Sequence, residues 1–71
     1  MIRKGSRVQW NWGKGTAEGK VMETHTTKTT KTLKRATVTR NGTEDDKSLY
    51  IKQDDGGHVL NSESEVKRAD Q

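Results

Sequence analysis

The chain has 71 residues and a net charge of +4, with 25% hydrophobic and 34% charged residues and no cysteine or proline. This length allows one small domain and nearly excludes a deep substrate cavity. Without cysteine there is neither a disulfide framework nor a cysteine-rich zinc site, and no apolar run approaches the roughly 20 residues that span a membrane. Residues 1–5 lack the apolar stretch of a secretion signal, so we expect a cytoplasmic protein without a membrane partner.

The charge is unevenly distributed along the chain. Residues 1–40 carry ten basic and two acidic residues, which gives +8, whereas residues 41–71 carry four basic and eight acidic residues, which gives −4. The modest total therefore conceals a basic first half and an acidic second half.

The first predicted elements are two strands joined by a turn. Val8, Trp10 and Trp12 alternate with polar residues, which is the period of a half-buried strand. The glycines of residues 13–15 end that strand with a flexible turn. Residues 17–23 alternate again and predict a second strand, whose inner face carries small residues where two backbones approach closely.

A threonine- and lysine-rich tract follows at residues 24–32 and contains no apolar residue. It is either a solvated loop or an extension of a hairpin, and its threonines favour a long, exposed and mobile ribbon. Residues 33–40 predict a third strand, with Ala36 and Val38 on one face. Leu33 falls on the other face, which indicates a bulge or tight turn near Lys34 and Arg35.

Two turns containing glycine divide the second half of the chain. Asn41-Gly42 predicts a hairpin turn, and the acidic residues 44–46 follow it. Residues 49–51 and 58–60 predict two more strands, joined by a hairpin turn at Asp55-Gly56-Gly57.

The end of the chain adds a short helical element. Ser62 and Glu65 have the spacing of a capping box, and only Val66 is apolar after it, so one or two turns are expected. The fold class predicted from these elements is all-β, a small five-stranded SH3-like or Tudor-like barrel with a short C-terminal helical turn. We expect a single domain over residues 1–71, with an ordered core at about 4–67 and a mobile tract at about 24–34.

Several segments resemble a known family. The segment from Gly5 to Val21, which reads Gly-Ser-Arg-Val-Gln-Trp-Asn-Trp-Gly-Lys-Gly-Thr-Ala-Glu-Gly-Lys-Val, is similar to the hypervirulence-associated protein Tudor domain family of small, mostly bacterial proteins. Val38–Thr43, Asp54–Gly56 and Val59-Leu60 add to the resemblance, which covers roughly Lys4 to Val66. The resemblance implies a Tudor-like, SH3-type barrel, and it carries no ligand or catalytic residue across.

The three aromatic residues form the first candidate site. Trp10 and Trp12 are predicted to be core residues, because the chain has few other large apolar side chains. The alternative for Trp12 is an aromatic surface shared with Tyr50, with Asp54 or Asp55 nearby. Tudor barrels often bind methylated lysine or arginine in such a cage, through cation–π attraction.

A basic strand and loop face is the second candidate site. Basic residues on such a face contact phosphates, and the affinity then depends on salt. The simpler interpretation is a solubilising surface in which lysines protect exposed strand edges. The candidate nucleic-acid residues are Lys20, Lys28, Lys31, Lys34, Arg35 and Arg40.

No catalytic or metal site is indicated. His25 and His58 lack further ligands at suitable spacing, and no nucleophile elbow accompanies the serines. We therefore expect no cofactor and no enzymatic activity, but a binding module that contacts a protein or a nucleic acid. The alternative is a nucleic-acid-binding accessory protein that uses the basic face of residues 20–40.

Overall fold

The computed structural model describes residues 2–33 and 36–69. These residues form seven β-strands and one 3₁₀ turn. The strands are β1 (Arg7–Trp12), β2 (Gly15–His25), β3 (Thr29–Leu33), β4 (Ala36–Arg40), β5 (Ser48–Gln53), β6 (His58–Ser62) and β7 (Lys67–Arg68), and the 3₁₀ turn is Glu63–Glu65.

The strands form two antiparallel sheets. A five-stranded sheet has the order β6-β5-β2-β1-β7, and β3 pairs with β4 in a separate two-stranded ribbon. The predicted all-β class is confirmed, but the two sheets are not closed into a barrel. The predicted count of five strands differs from the seven found, because the threonine-rich tract supplies β3 and two residues after the 3₁₀ turn pair with β1 as β7.

The main hydrophobic cluster lies on one face of the five-stranded sheet, while the buried Leu60, the Cα partner of Tyr50, lies on the other face. The residues of this cluster come from β1, β2 and β5 and from both ends of the described chain. They are Ile2, Val8, Trp10, Val21, Leu49, Ile51 and Val66. Val8, Val21, Leu49 and Ile51 have no exposed surface. The predicted alternation of β1 and the core position of Trp10 are confirmed.

Close approach of two backbones fixes the pairing of β2 with β5. A Cβ atom at Gly19 would lie 2.4 Å from the carbonyl oxygen of Lys52 and 2.7 Å from Cγ2 of Ile51. The small inner face predicted for β2 is therefore confirmed. Further along β2 the register shifts between Val21 and Glu23, which is a bulge that the alternation did not predict.

The two predicted hairpin turns have different outcomes. The turn at Asp55-Gly56-Gly57 is confirmed: Gly56 has a φ of 97° and β6 returns beside β5. The hairpin at Asn41-Gly42 is wrong, because β4 pairs with β3 and not with β5. Gly42 lies instead against the β2–β3 loop, where its N–H donates to the Thr27 carbonyl oxygen at 3.1 Å.

The C-terminal helical turn is present as the 3₁₀ turn. The Ser62 backbone N–H donates to Glu65 Oε1 at 3.0 Å, as expected from the capping-box spacing. The bulge or turn predicted near Lys34 and Arg35 lies outside the described residues. The mobility of residues 24–34 and the bounds of the ordered core stay predictions.

Candidate functional site

Among residues 2–33 and 36–69, Trp12 is the one large hydrophobic residue that is exposed, with 73% of its surface accessible. It shares a face of β1 with Val8 and Trp10, which are buried. Trp12 ends the strand, and Gly13, with a φ of 57°, turns the chain back toward β2. The prediction that Trp12 belongs to the core is therefore wrong, because the core ends before this position.

A cleft of about 530 Å³ lies beside Trp12. Three carboxylates line it, those of Glu18 on β2 and of Asp54 and Asp55 in the β5–β6 turn. The other lining residues are Thr16, Ala17 and Gln53. An indole face and several carboxylates in one open cleft are the groups that attract a cationic side chain.

Arg7 holds two of these carboxylates. Its Nη2 atom lies 2.7 Å from Asp54 Oδ2 and 3.2 Å from Glu18 Oε2. Hydrogen bonds to Asp54 and then to Glu18 raise the pKa of Arg7. Asp55 accepts a hydrogen bond from the Gly57 N–H at 2.9 Å, which orients its carboxylate. Three carboxylates against one guanidinium leave a net negative charge beside Trp12.

Tyr50 does not join Trp12 in this cleft. The Tyr50 ring stacks on His58, with 5.2 Å between ring centroids and an interplanar angle of 13°. The ammonium of Lys31 lies 4.8 Å from the Tyr50 centroid. A separate, smaller cleft contains Tyr50 and His58. The structure therefore places the two predicted surface aromatics in different clefts.

The β2 bulge explains why Lys31 reaches Tyr50. The bulge pairs Glu23 with Tyr50, where Glu23 Oε1 lies 3.0 Å from Lys31 Nζ and 2.8 Å from His25 Nε2. Hydrogen bonds from Lys31, which contributes more, and from His25 lower the pKa of Glu23. This cluster attaches the β3–β4 ribbon to the five-stranded sheet.

The predicted basic face is divided by the structure. Lys31 pairs with Glu23, while Arg40 donates to the Leu60 carbonyl oxygen at 3.3 Å and lies 3.9 Å from Glu65. Lys20 is exposed on β2, and Lys28 is exposed in the β2–β3 loop. Lys34 and Arg35 lie outside the described residues.

A different basic arrangement lies on the five-stranded sheet. Arg7 is directly opposite Lys20, Lys20 is opposite Lys52, and Lys52 is opposite His58. We call these four residues the cross-strand row. The predicted turns at residues 13–15 and 55–57 join the strands that carry the first and last of these pairings, but no pattern within a single strand indicated that β2 lies beside β5.

Other kinds of site are not found in the described ranges. No group of three His, Asp or Glu residues within 2–33 and 36–69 is placed to hold a metal ion. No helix in those ranges is long and apolar enough to cross a membrane.

The comparisons with known proteins give one family. No curated protein and no solved structure matched the chain. The family model described as the hypervirulence associated proteins TUDOR domain matches residues 5–66, which is most of the chain. That match includes β1 to β6, the exposed Trp12 and the cross-strand row. The chain therefore belongs to the hypervirulence-associated protein Tudor domain family.

Proposed function

We propose that the chain is a non-enzymatic, Tudor-like binding module that holds a basic side chain of a protein partner against Trp12. The observation that carries this proposal is an exposed tryptophan, 73% accessible, beside three carboxylates. Tudor-like domains are generally non-catalytic modules that bind proteins or nucleic acids, which supports a binding role.

The chemistry of the cleft favours a lysine or arginine side chain, with or without methyl groups. A cation over a tryptophan face gains about 0.5–1 kcal/mol at an exposed site and about 2 kcal/mol or more when water is excluded. Arg7 keeps the carboxylates of Glu18 and Asp54 in place, while Asp55 has no cationic partner among the described ion pairs. A ligand ammonium therefore meets an exposed indole and a carboxylate that pairs with no guanidinium among the described residues.

A second cleft on the other side of Trp12 extends the surface. It has a volume of about 330 Å³ and includes the apolar side chains of Leu33, Val38 and Val59. Asn61 also lines it, and its Nδ2 atom is buried without a hydrogen-bond partner among the described residues. A peptide that crosses Trp12 can place an apolar residue against Leu33.

The alternative function, nucleic-acid binding through the basic face of residues 20–40, has less support. Two of its residues, Lys31 and Arg40, are engaged by carboxylates of the same chain. They would have to leave those partners to contact phosphates.

The proposal also includes the type of fold, the location of the protein and the charge of its surface. We propose that the two sheets are the halves of an opened SH3-like barrel, since β4 lies against β6 through the Arg40–Leu60 hydrogen bond. We also propose a bacterial cytoplasmic location and a largely basic surface, in keeping with the cysteine-free sequence and its positive net charge.

The test is an NMR titration with two short glycine-serine peptides, one containing a single lysine and one a single trimethyllysine. We expect a saturable shift of the Trp12 indole N–H, and we expect Trp12→Ala to abolish binding. Asp55→Asn keeps the acceptor for Gly57 but removes the charge, so it should weaken binding several-fold.

The matched control is Asp45→Asn, which removes one exposed carboxylate from the acidic loop before β5, whereas the cleft lies at the end of β5. It should bind both peptides as the unchanged protein does. An indole signal that stays still at millimolar peptide, or equal weakening by Asp45→Asn and Asp55→Asn, would show that the Trp12 cleft is not the binding site.

A further inference from the structure

The cross-strand row places like charges directly opposite one another. Arg7, Lys20, Lys52 and His58 are successive Cα partners on four neighbouring strands. Directly paired residues share one face of a sheet, and neighbouring strands lie about 4.8 Å apart. The row therefore runs for about 14 Å across one face of the sheet.

This arrangement is unfavourable for folding, because like charges directly opposite each other on a sheet repel. Arg7 is compensated by Glu18 and Asp54. Lys20 and Lys52 are exposed, and neither takes part in an ion pair among the described residues. An anionic ligand over the two lysines would remove their repulsion.

An aromatic stack adjoins the row. His58 is the last member of the row, and its ring stacks on Tyr50 at 5.2 Å between centroids. The cleft beside this stack has a volume of about 210 Å³ and is completed by Thr32, Leu33, Gly56 and Gly57. That volume is below the roughly 300 Å³ at which ligand pockets begin, so it suits one planar ring rather than a larger molecule.

We propose that this face of the five-stranded sheet binds single-stranded nucleic acid. Phosphates lie on Lys20 and Lys52, and one base stacks on the face of the His58 ring that Tyr50 does not cover. Backbone contacts by cations together with bases on aromatic faces are how proteins bind single strands without sequence preference. A duplex keeps its bases stacked within itself, so it meets only the lysines.

The surface meets the Trp12 cleft used in the proposed function only through Arg7, and neither proposed phosphate contact uses that residue. Its ligand is an anion, whereas the Trp12 cleft takes a cation. The two proposals can therefore fail independently, and Trp12→Ala should leave oligonucleotide binding unchanged.

The first experiment measures fluorescence anisotropy of a labelled twelve-residue oligothymidylate at several salt concentrations. For a single strand, the slope of log affinity against log salt concentration becomes shallower by about 0.7 for each phosphate contact that is removed. Lys20→Gln combined with Lys52→Gln should therefore reduce the slope by ~1.4 and lower the affinity about 25-fold at 0.1 M salt.

The matched control is Lys4→Gln combined with Lys14→Gln, which removes the same charge from two exposed turn positions. It should change the affinity less than threefold. Equal losses in the two double variants would overturn the proposal, because net charge alone would then explain the binding.

The second experiment tests the stack by NMR. The ring protons of His58 should move upfield when the oligothymidylate binds, and His58→Ala should remove the preference for a single strand over a duplex of equal length. A duplex that binds as tightly as the single strand, or binding to anionic phosphatidylserine vesicles with none to the oligonucleotide, would refute the proposal.

Discussion

Gly19→Ala tests the claim that the close approach of β2 and β5 fixes the sheet. The added Cβ would lie 2.4 Å from the Lys52 carbonyl oxygen, whereas an ordinary contact is 3.4–4 Å, so the two backbones must separate by about 1 Å. Overpacking of this kind costs about 1–3 kcal/mol. A domain of this size is stable by about 4–11 kcal/mol, so the loss is a large fraction of the total.

The assay is thermal unfolding followed by circular dichroism, with urea unfolding as a second measurement. For a domain of this length each 1 kcal/mol shifts Tm by about 4–8 °C, so we expect Gly19→Ala to lower Tm by about 5–20 °C. Gly15→Ala is the matched control, because no atom lies within 4 Å of its added Cβ. Gly15→Ala should change stability by less than about 0.5 kcal/mol. If the two variants melt within about 2 °C of each other, the close approach does not constrain the sheet.

Three further predictions concern side chains. Trp12→Ala should change the urea midpoint little, because Trp12 is 73% exposed. Trp10→Ala should lower the free energy of unfolding by ~3–5 kcal/mol, because Trp10 is buried. Comparable losses in the two variants would show that the core does not end between these residues. Lys31→Gln should move the pKa of Glu23 back up toward its ordinary value, measured by carboxyl ¹³C shifts against pH. Since the pKa of Glu23 is lowered in the folded state, the Glu23–Lys31 pair stabilises the protein above the ordinary carboxyl pKa. This stabilisation is lost as the pH falls through the lowered pKa of Glu23. A stability difference between Lys31→Gln and the unchanged protein that persists at acid pH would contradict this reasoning. Lys20→Glu should stabilise the sheet by about 0.2–1 kcal/mol for each of its two basic cross-strand neighbours, and an unchanged or lower urea midpoint would show that the row is not under repulsion.

The strands were largely predictable because their apolar residues alternate. Val8 and Trp10 identify β1, and the Asp55-Gly56-Gly57 turn identifies the β5–β6 hairpin. Alternation alone also places Trp12 in the core, because it gives the face of a residue but not how far the core extends along the strand. That distance depends on what packs above the sheet, and no pattern within β1 contains it.

The bulge in β2 shows a second limit. One extra residue between Val21 and Glu23 brings Glu23 opposite Tyr50. A period-two pattern of apolar residues does not predict this pairing. An unbroken alternation from Ala17 would place Glu23 on the inner face, whereas the bulge makes its carboxylate the partner of Lys31. Both candidate sites depend on contacts between distant segments, which a single sequence does not specify.

Arg7 belongs to both surfaces, so we expect binding at the two proposed sites to be thermodynamically linked. It neutralises Glu18 and Asp54 beside the Trp12 cleft, and it is also the first member of the cross-strand row. A cationic ligand that competes for those carboxylates releases the guanidinium toward the row, and an anion on the row draws it away from the carboxylates. Each ligand then strengthens the binding of the other by the same factor, because such coupling is reciprocal. One side chain at the start of β1 would thus couple the two proposed sites within a domain of 71 residues.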